Sequence, residues 1–172
     1  YLNRRTVFTI PTRSYTIVNM ARHSELVKIP RIDLSITKLA LGTAPLGGLF
    51  TSVADSEAES TILAAVDAGI KYFDTAPLYG YGNAERRLGS ALNKSGKPFV
   101  VSTKVGRILE KIDPNKPIAD DSLGSYVDVD KSLTPVFDFS RDGILRSIED
   151  SLRRLNVSSF DIDLTDTFST FE

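Results

Sequence analysis

From Val27 onward, short β-rich pieces alternate with amphipathic helical stretches, and this alternation limits the fold more than any other feature of the chain. Strands separated by helices are joined in parallel, because a parallel pair needs a crossover connection rather than a tight turn. Val27–Ile29 and Leu34–Ile36, on either side of Pro30-Arg31, read as a small hairpin. Lys38–Leu41 reads as a strand ending at Gly42, followed by the Gly/Pro loop Thr43-Ala44-Pro45-Leu46-Gly47-Gly48. Ser56 and Glu59 have capping-box spacing and predict a helix start. Ala58, Ile62, Ala65 and Val66 then form its apolar stripe, and Gly69 is its expected stop. A second strand is expected over Ile70–Asp74, a second helix from about Ala84 to Leu92, and a third strand over Phe99–Thr103. Ser140 is placed to cap a third helix with Ile144, Leu145, Ile148, Leu152 and Leu155 on one stripe, and Phe160–Leu164 reads as a fourth strand. Residues 106–138 break the rhythm. They are polar, contain Pro114, Pro117 and Pro135, and hold no sustained period, so they read as a long loop of the kind that often covers an active site.

Composition narrows the function classes. The chain has 172 residues, 41% hydrophobic and 25% charged, enough for one buried domain and unlike a disordered segment. With 21 basic against 22 acidic residues, no general attraction to nucleic acid is expected. No apolar run approaches the roughly 18 residues of a membrane span. Cysteine is absent and His23 is the single histidine, which removes thiol catalysis and disulfides and argues against zinc. A cytoplasmic setting is the expectation that fits. Residues 1–19 carry Arg4, Arg5 and Arg13 with no acid before Glu25. They are expected to be a leader, disordered or foreign to the fold, although a mitochondrial-type targeting segment has a similar composition.

In parallel βα folds the loops after the strands open on one face, so chemistry gathers at the carboxyl ends of strands. The first strand runs into Gly42-Thr43, the second ends at Asp74, and the third leads into Lys104, while Tyr79 lies five residues past Asp74. A phenol is a poor proton donor at neutral pH, with an ordinary pKa of about 10. A nearby ammonium favours the phenolate, and a carboxylate beside the ammonium keeps it charged and in place. Asp74, Lys104 and Tyr79 supply those three roles. Each has a plainer reading alone: a strand-end Asp as a turn residue, a Tyr before Gly as packing, a Lys as a solvated charge. Their arrival on consecutive strand ends is what favours catalysis. Gly80-Tyr81-Gly82-Asn83-Ala84-Glu85 approaches a dinucleotide fingerprint, but Glu85 stands where Gly or Ala is needed. A Rossmann dehydrogenase is therefore rejected.

The run Asp74-Thr75-Ala76-Pro77-Leu78-Tyr79-Gly80, then Glu85-Arg86-Arg87-Leu88-Gly89, resembles the aldo-keto reductase family. So do Val101-Ser102-Thr103-Lys104-Val105-Gly106-Arg107 and Phe137-Asp138-Phe139-Ser140. Leu41-Gly42-Thr43-Ala44-Pro45-Leu46-Gly47 and the long 106–138 stretch resemble the branch of aldose (fucose-type) 1-dehydrogenases and pyridoxal 4-dehydrogenase. The resemblance implies a parallel (β/α)8 barrel plugged by the amino-terminal hairpin, and NAD or NADP as cofactor. It also implies a small carbonyl or sugar substrate, possible oxidation of an aldose to a lactone, and Tyr79 exchanging the proton while Asp74 and Lys104 tune it. Gly42, Thr43 and Ala44, with Asp74, would lie near the cofactor.

Two departures from the family pattern shape the expectations. In Asp161-Ile162-Asp163-Leu164-Thr165-Asp166-Thr167 an aspartate, Asp166, occupies the place of the family's histidine, and Asp163 puts a charge into a strand expected to be buried. A barrel also needs about 250 residues. The domain reading is therefore residues 20–164 as the first four β/α units of the barrel, with 165–172 a tail that matches nothing expected, as a truncated or frame-shifted reading frame would give. Such a half-barrel has open sheet edges, and alone it is expected to be inactive, marginally folded or self-associating. The alternative reading is a catalytically silent, partner-binding relative.

Overall fold

A computed structural model describes residues 23–113, 126–127 and 129–166. The expected leader, much of the 106–138 stretch and residues 167–172 lie outside the described residues. Strands β1 (Leu26–Lys28) and β2 (Ser35–Thr37) form the expected antiparallel hairpin. The strands that follow are β3 (Ala40–Gly42), β4 (Tyr72–Asp74), β5 (Val100–Val105), β6 (Arg107–Lys111), β7 (Leu133–Phe137) and β8 (Ile162–Thr165). Four of them make the main sheet, all parallel, in the order β3-β4-β5-β8. Helices α1 (Asp55–Asp67), α2 (Asn83–Ser95) and α3 (Arg141–Leu155) connect these four in turn. This is the α/β architecture of a barrel's first four units, with β3 and β8 as the outer strands of the sheet.

The core lies between sheet and helices. Phe73 of β4 and Val101 of β5 meet Ile62 and Val66 of α1, Leu88, Ala91 and Leu92 of α2, and Leu155 of α3. Burying side chains of this size stabilises by roughly 1.5–3 kcal/mol each, which offsets part of the chain entropy lost in ordering these elements. Two ion networks are built into the same layer. Glu85 is fully buried on α2, where its Oε1 accepts from Thr103 Oγ1 at 2.7 Å and its Oε2 from Arg154 Nε at 2.5 Å. Arg87, also buried, donates from Nε to Asp55 Oδ1 (2.7 Å), from Nη1 to Leu46 O (2.5 Å) and from Nη2 to Val53 O (2.7 Å). Hydrogen bonds from Arg86 and then Arg87 hold the Asp55 carboxyl down to about 2.

Several expectations are corrected. Helix α1 begins one residue before Ser56, with Ala54 at its N-cap and no side-chain cap, so there is no capping box; Glu59 instead pairs with Lys94. Gly69 does end the helix turn, at φ +88°, donating its N–H to Val66 O. The 106–138 stretch is not a loop throughout. Strands β6 and β7 within it pair antiparallel, with Leu109 opposite Pro135. A proline is tolerated there because the bonds Asp138 N–H to Gly106 O and Ile112 N–H to Ser132 O set an alternation that leaves Pro135 at a pair whose N–H would point away from β6.

Ser140 caps α3 as expected, its Oγ accepting from Gly143 N at 3.0 Å. The buried face of α3, however, is Gly143, Ser147, Ser151 and Leu155, while Ile144, Ile148 and Leu152 are half-buried and Leu145 is exposed. Small residues let α3 lie close to its neighbours, a packing choice that apolarity alone does not reveal. Asp163 is exposed rather than buried, since β8 is covered little on either face; partial desolvation still raises its pKa.

Candidate active site

The parallel register puts Gly42 and Asp74, at the carboxyl ends of β3 and β4, beside Ser102, midway along β5. Lys104 is two residues beyond Ser102, and alternate residues of a strand share a face, so both side chains reach Asp74. Lys104 Nζ donates to Asp74 Oδ2 at 3.0 Å and to Thr75 O at 3.0 Å, while Ser102 Oγ donates to Asp74 Oδ1 at 2.7 Å. Tyr72 Oη in turn donates to Ser102 Oγ at 3.1 Å. The carboxylate is thus held by neighbouring strand residues before any ligand is considered.

Tyr79 closes the group from the loop after β4. Lys104 Nζ lies 4.9 Å from the centre of its ring. Burial pulls the Lys104 ammonium down, but hydrogen bonds to Asp74 and the charge and hydrogen bonding of Tyr79 outweigh it, leaving the group above the ordinary lysine value of 10.5. Lys104 is therefore a fixed cation against a phenol. Tyr79 owes its position to a close backbone approach. A Cβ on Gly47 would stand 2.7 Å from the Tyr79 carbonyl carbon, and one on Gly80, at φ +62°, would collide with Gly47 O. Only two glycines let these loops touch, and Arg87 secures the Gly47 side through Leu46 O.

Of the residues expected near a cofactor, Gly42 is exposed and has open space where a Cβ would stand. Thr43 is buried, and both its N–H (2.9 Å) and its hydroxyl (3.0 Å) donate to Asp74 O. Ala44 follows, half-buried, at the start of the short 3-10 turn Pro45–Gly47. These residues fit a flat ring lying against the strand ends: Gly42 and Ala44 offer a floor without bulk, and Thr43 fixes the backbone of Asp74 from below. His23 is remote, its Nε2 bonded to Ala68 O at 2.7 Å beside the carboxyl end of α1.

Four residues at this end have no part in the roles that sequence reasoning gave to Asp74, Tyr79 and Lys104. Ser102 was within reach of the period-2 argument that places Lys104. Tyr126, whose ring lies 6.4 Å from that of Tyr79, sits in the irregular stretch and gives no periodic signal. Burial, with Tyr79 and Asp166 adding to it and Arg107 opposing, pushes the Tyr126 phenol up to about 12. Arg107 stacks on Phe137, 4.1 Å from the ring centre, and its Nε is 3.2 Å from Asp166 Oδ2. Asp166 itself follows β8 and donates its N–H to Val105 O at 2.9 Å, which brings it to the same end of the sheet as Lys104. Among the described residues no group of His, Asp and Glu could hold a metal ion, and no helix is long and apolar enough to cross a membrane.

Known proteins are similar to this chain in sequence and fold. The chain is 41% identical over 143 residues to a pyridoxal 4-dehydrogenase of Microbacterium luteolum, covering 81% of this chain and 42% of the relative. It is 42% identical over 130 residues to a D-threo-aldose 1-dehydrogenase of a Pseudomonas species, covering 75% and 39%. A solved glycerol dehydrogenase from Gluconobacter oxydans superposes with a TM-score of 0.62 at 33% identity, over 83% of this chain and 39% of that one. The chain thus spans about two fifths of the length of the curated relatives it matches. The model of the aldo/keto reductase family matches residues 38–167, and the chain belongs to that family.

Proposed function

We propose that this chain carries the proton-exchanging side of an NAD(P)-dependent oxidoreductase that interconverts a carbonyl and an alcohol, with an aldose oxidised at its anomeric carbon as the favoured case. The observation that carries the reading is the Lys104 ammonium, held by Asp74 at 3.0 Å and set against the Tyr79 ring at 4.9 Å. When bound, a nicotinamide supplies or accepts hydride at the substrate carbon, and Gly42, Ala44 and Asp74 are the residues here that would lie against it.

The protein's own part is the proton. In reduction Tyr79 Oη gives its proton to the carbonyl oxygen; in oxidation it takes the proton from the hydroxyl that becomes that carbonyl. Lys104 supplies the positive charge that eases either transfer, and Asp74 keeps Lys104 protonated and aimed. For a sugar hemiacetal the oxidised product is a lactone. Membership in a family whose similar relatives include an aldose 1-dehydrogenase and a pyridoxal 4-dehydrogenase supports this reaction class; the silent, partner-binding reading has no observation in its favour.

The deciding variant is Tyr79→Phe, which removes one oxygen and keeps the ring packed near Tyr126. With this segment set in a barrel of the relatives' length, turnover of aldose or aldehyde with NAD or NADP should fall by about 10²–10⁴-fold, the usual contribution of a positioned acid/base group, while the melting temperature stays close to that of the parent. Unchanged turnover would remove Tyr79 from the reaction.

A further inference from the structure

Ser102 and Tyr72 stand one layer below Lys104 and Asp74, and the proton exchange gives neither of them a part. The register sets Tyr72 opposite Val100 and Asp74 opposite Ser102. Tyr72 and Asp74, alternate residues of β4, therefore share the face that carries Ser102 and Lys104. Ser102 is fully buried. Its Oγ lies 2.7 Å from Asp74 Oδ1 and 3.1 Å from Tyr72 Oη. The direction of this short chain follows from what each group can do. A carboxylate paired with an ammonium only accepts, so the serine hydroxyl gives its single proton to Asp74. What remains to it is acceptor capacity, and the phenol of Tyr72 answers that. The hydroxyl is engaged at both ends and has one orientation.

Rigidity runs in the same order. Thr43 fixes the backbone of Asp74 through two hydrogen bonds to Asp74 O, which leaves only the turning of the carboxylate to be set. Lys104 is the group that needs placing, and its long flexible stem cannot serve as the reference. Ser102 is short and enclosed, and Tyr72 is a ring, half-buried on β4. We infer that Ser102, itself oriented by Tyr72, is a positioning residue: it holds Asp74 Oδ1 and so turns Oδ2 to the place where Lys104 Nζ meets it at 3.0 Å and stands against the ring of Tyr79. Ser102 acts through Asp74, not on the substrate. Hydrogen bonds in series toward a charge strengthen one another, so loss of the Tyr72 phenol is felt at Lys104 through the serine. This deepens the oxidoreductase reading and rests on it for what the placement achieves, since a shift of about 1 Å at a reacting group can cost roughly a hundredfold in rate.

The experiment reads the Lys104 ammonium by NMR in the full chain made with isotope-labelled lysine. An ammonium held by Asp74 Oδ2 and Thr75 O gives up its protons to water more slowly than a solvated one. The Lys104 signal, identified by its absence in Lys104→Met, should exchange about tenfold faster in Ser102→Ala, the factor that one lost hydrogen bond allows. Ser102→Cys keeps the side chain's place but donates weakly and should behave alike. Tyr72→Phe should shift exchange the same way by a smaller factor, and should add nothing to Ser102→Ala, because it acts through that hydroxyl. Since it leaves Ser102 in place, the test stands even where the serine variants do not fold. With the segment set in a barrel of the relatives' length, Ser102→Ala should lower kcat by about ten- to a hundredfold and leave KM close to the parent's, as a loss confined to the transition state does. Lys104 exchange unmoved in Ser102→Ala and Tyr72→Phe, effects that simply add in the double variant, or an undiminished kcat would overturn the positioning role. Tyr79→Phe tells the two readings apart. If it abolishes turnover while Lys104 is unmoved in Ser102→Ala, the positioning role fails alone; if it keeps turnover while exchange quickens as expected, the proton assignment fails and the hold of Ser102 on Lys104 survives.

Discussion

Glu85 and Asp74 each hold a cation below the surface, one between helices and sheet and the other at the sheet's open end. Glu85 is sealed by α2, α3 and β5, and both its oxygens are engaged by Thr103 and Arg154. Asp74 is held as firmly, by Ser102 and Lys104, but its side chain is 28% exposed and its cation turns toward the ring of Tyr79. The first network engages both oxygens of its carboxylate internally. The second ends on a phenol at the mouth. Burial marks neither as functional; what separates them is whether the chain of hydrogen bonds closes on itself or stops at a group that can exchange a proton.

Breaking the closed network should have the largest effect on stability. Glu85→Gln keeps the shape and the acceptor for Thr103 but leaves Arg154 without its counter-charge. Removing one partner of a buried pair typically costs about 3–5 kcal/mol, and the partial exposure of Arg154 puts the expected loss near the lower figure. A urea-unfolding series would show it as a lower midpoint with little change in slope. If the midpoint hardly moves, the pair is not the clasp between α2 and α3 that its geometry suggests.

The open network should respond in the opposite sense. Lys104→Met preserves the apolar stem and removes the charge, and Asp74 retains its hydrogen bond from Ser102 and access to water. Unfolding free energy should drop by only about 1.5 kcal/mol, the low end for a hydrogen bond to a charged group, because the setting is partly solvated. Turnover, by contrast, measured with the segment in a barrel of the relatives' length, should fall by at least about a hundredfold. A variant that unfolds as readily as Glu85→Gln would show that the two regions differ less than their exposure implies.

The strand ends were legible in the sequence because period and punctuation fix them: Gly42, Asp74 and Lys104 fall where β runs stop, and Tyr79 follows one of them at short range. The helices were legible for the same reason, although α3 buries Ser147 and Ser151 while Leu145 faces outward, since close packing there rewards small size over apolarity. The ribbon β6–β7 was hidden by distance, its strands being separated by residues with no period and one of them carrying Pro135. Asp163 looked costly because a central strand was expected to be covered, whereas β8 is an outer strand and mostly exposed. Tyr126 and the Arg107–Asp166 pair come together only in three dimensions, so no spacing along the chain could announce them.

The smallest effect expected is the pH dependence that distinguishes the site from the scaffold. The pKa of Lys104 lies above its ordinary 10.5 in the folded chain, where Asp74 and Tyr79 overcome the cost of burial. A group that binds its proton more tightly when folded adds stability that is complete below the unfolded pKa and is lost as pH rises through the folded one. The stability gap between the parent chain and Lys104→Met should therefore be flat from neutral pH to about 10.5 and close above it. Asp55 works at the other limit. Its folded pKa is lowered to about 2 from 3.8 by Arg86 and Arg87, so its contribution is present above 3.8 and disappears as pH falls toward 2. Because Asp55 is largely exposed, solvent screens that contribution and keeps it small. Urea midpoints measured across pH for the parent, Lys104→Met and Asp55→Asn would separate an alkaline limb that belongs to the site from an acid limb that belongs to the scaffold. A Lys104→Met gap that persists undiminished well above pH 10.5 would mean that the ammonium is not held by Asp74 and Tyr79 in the folded protein.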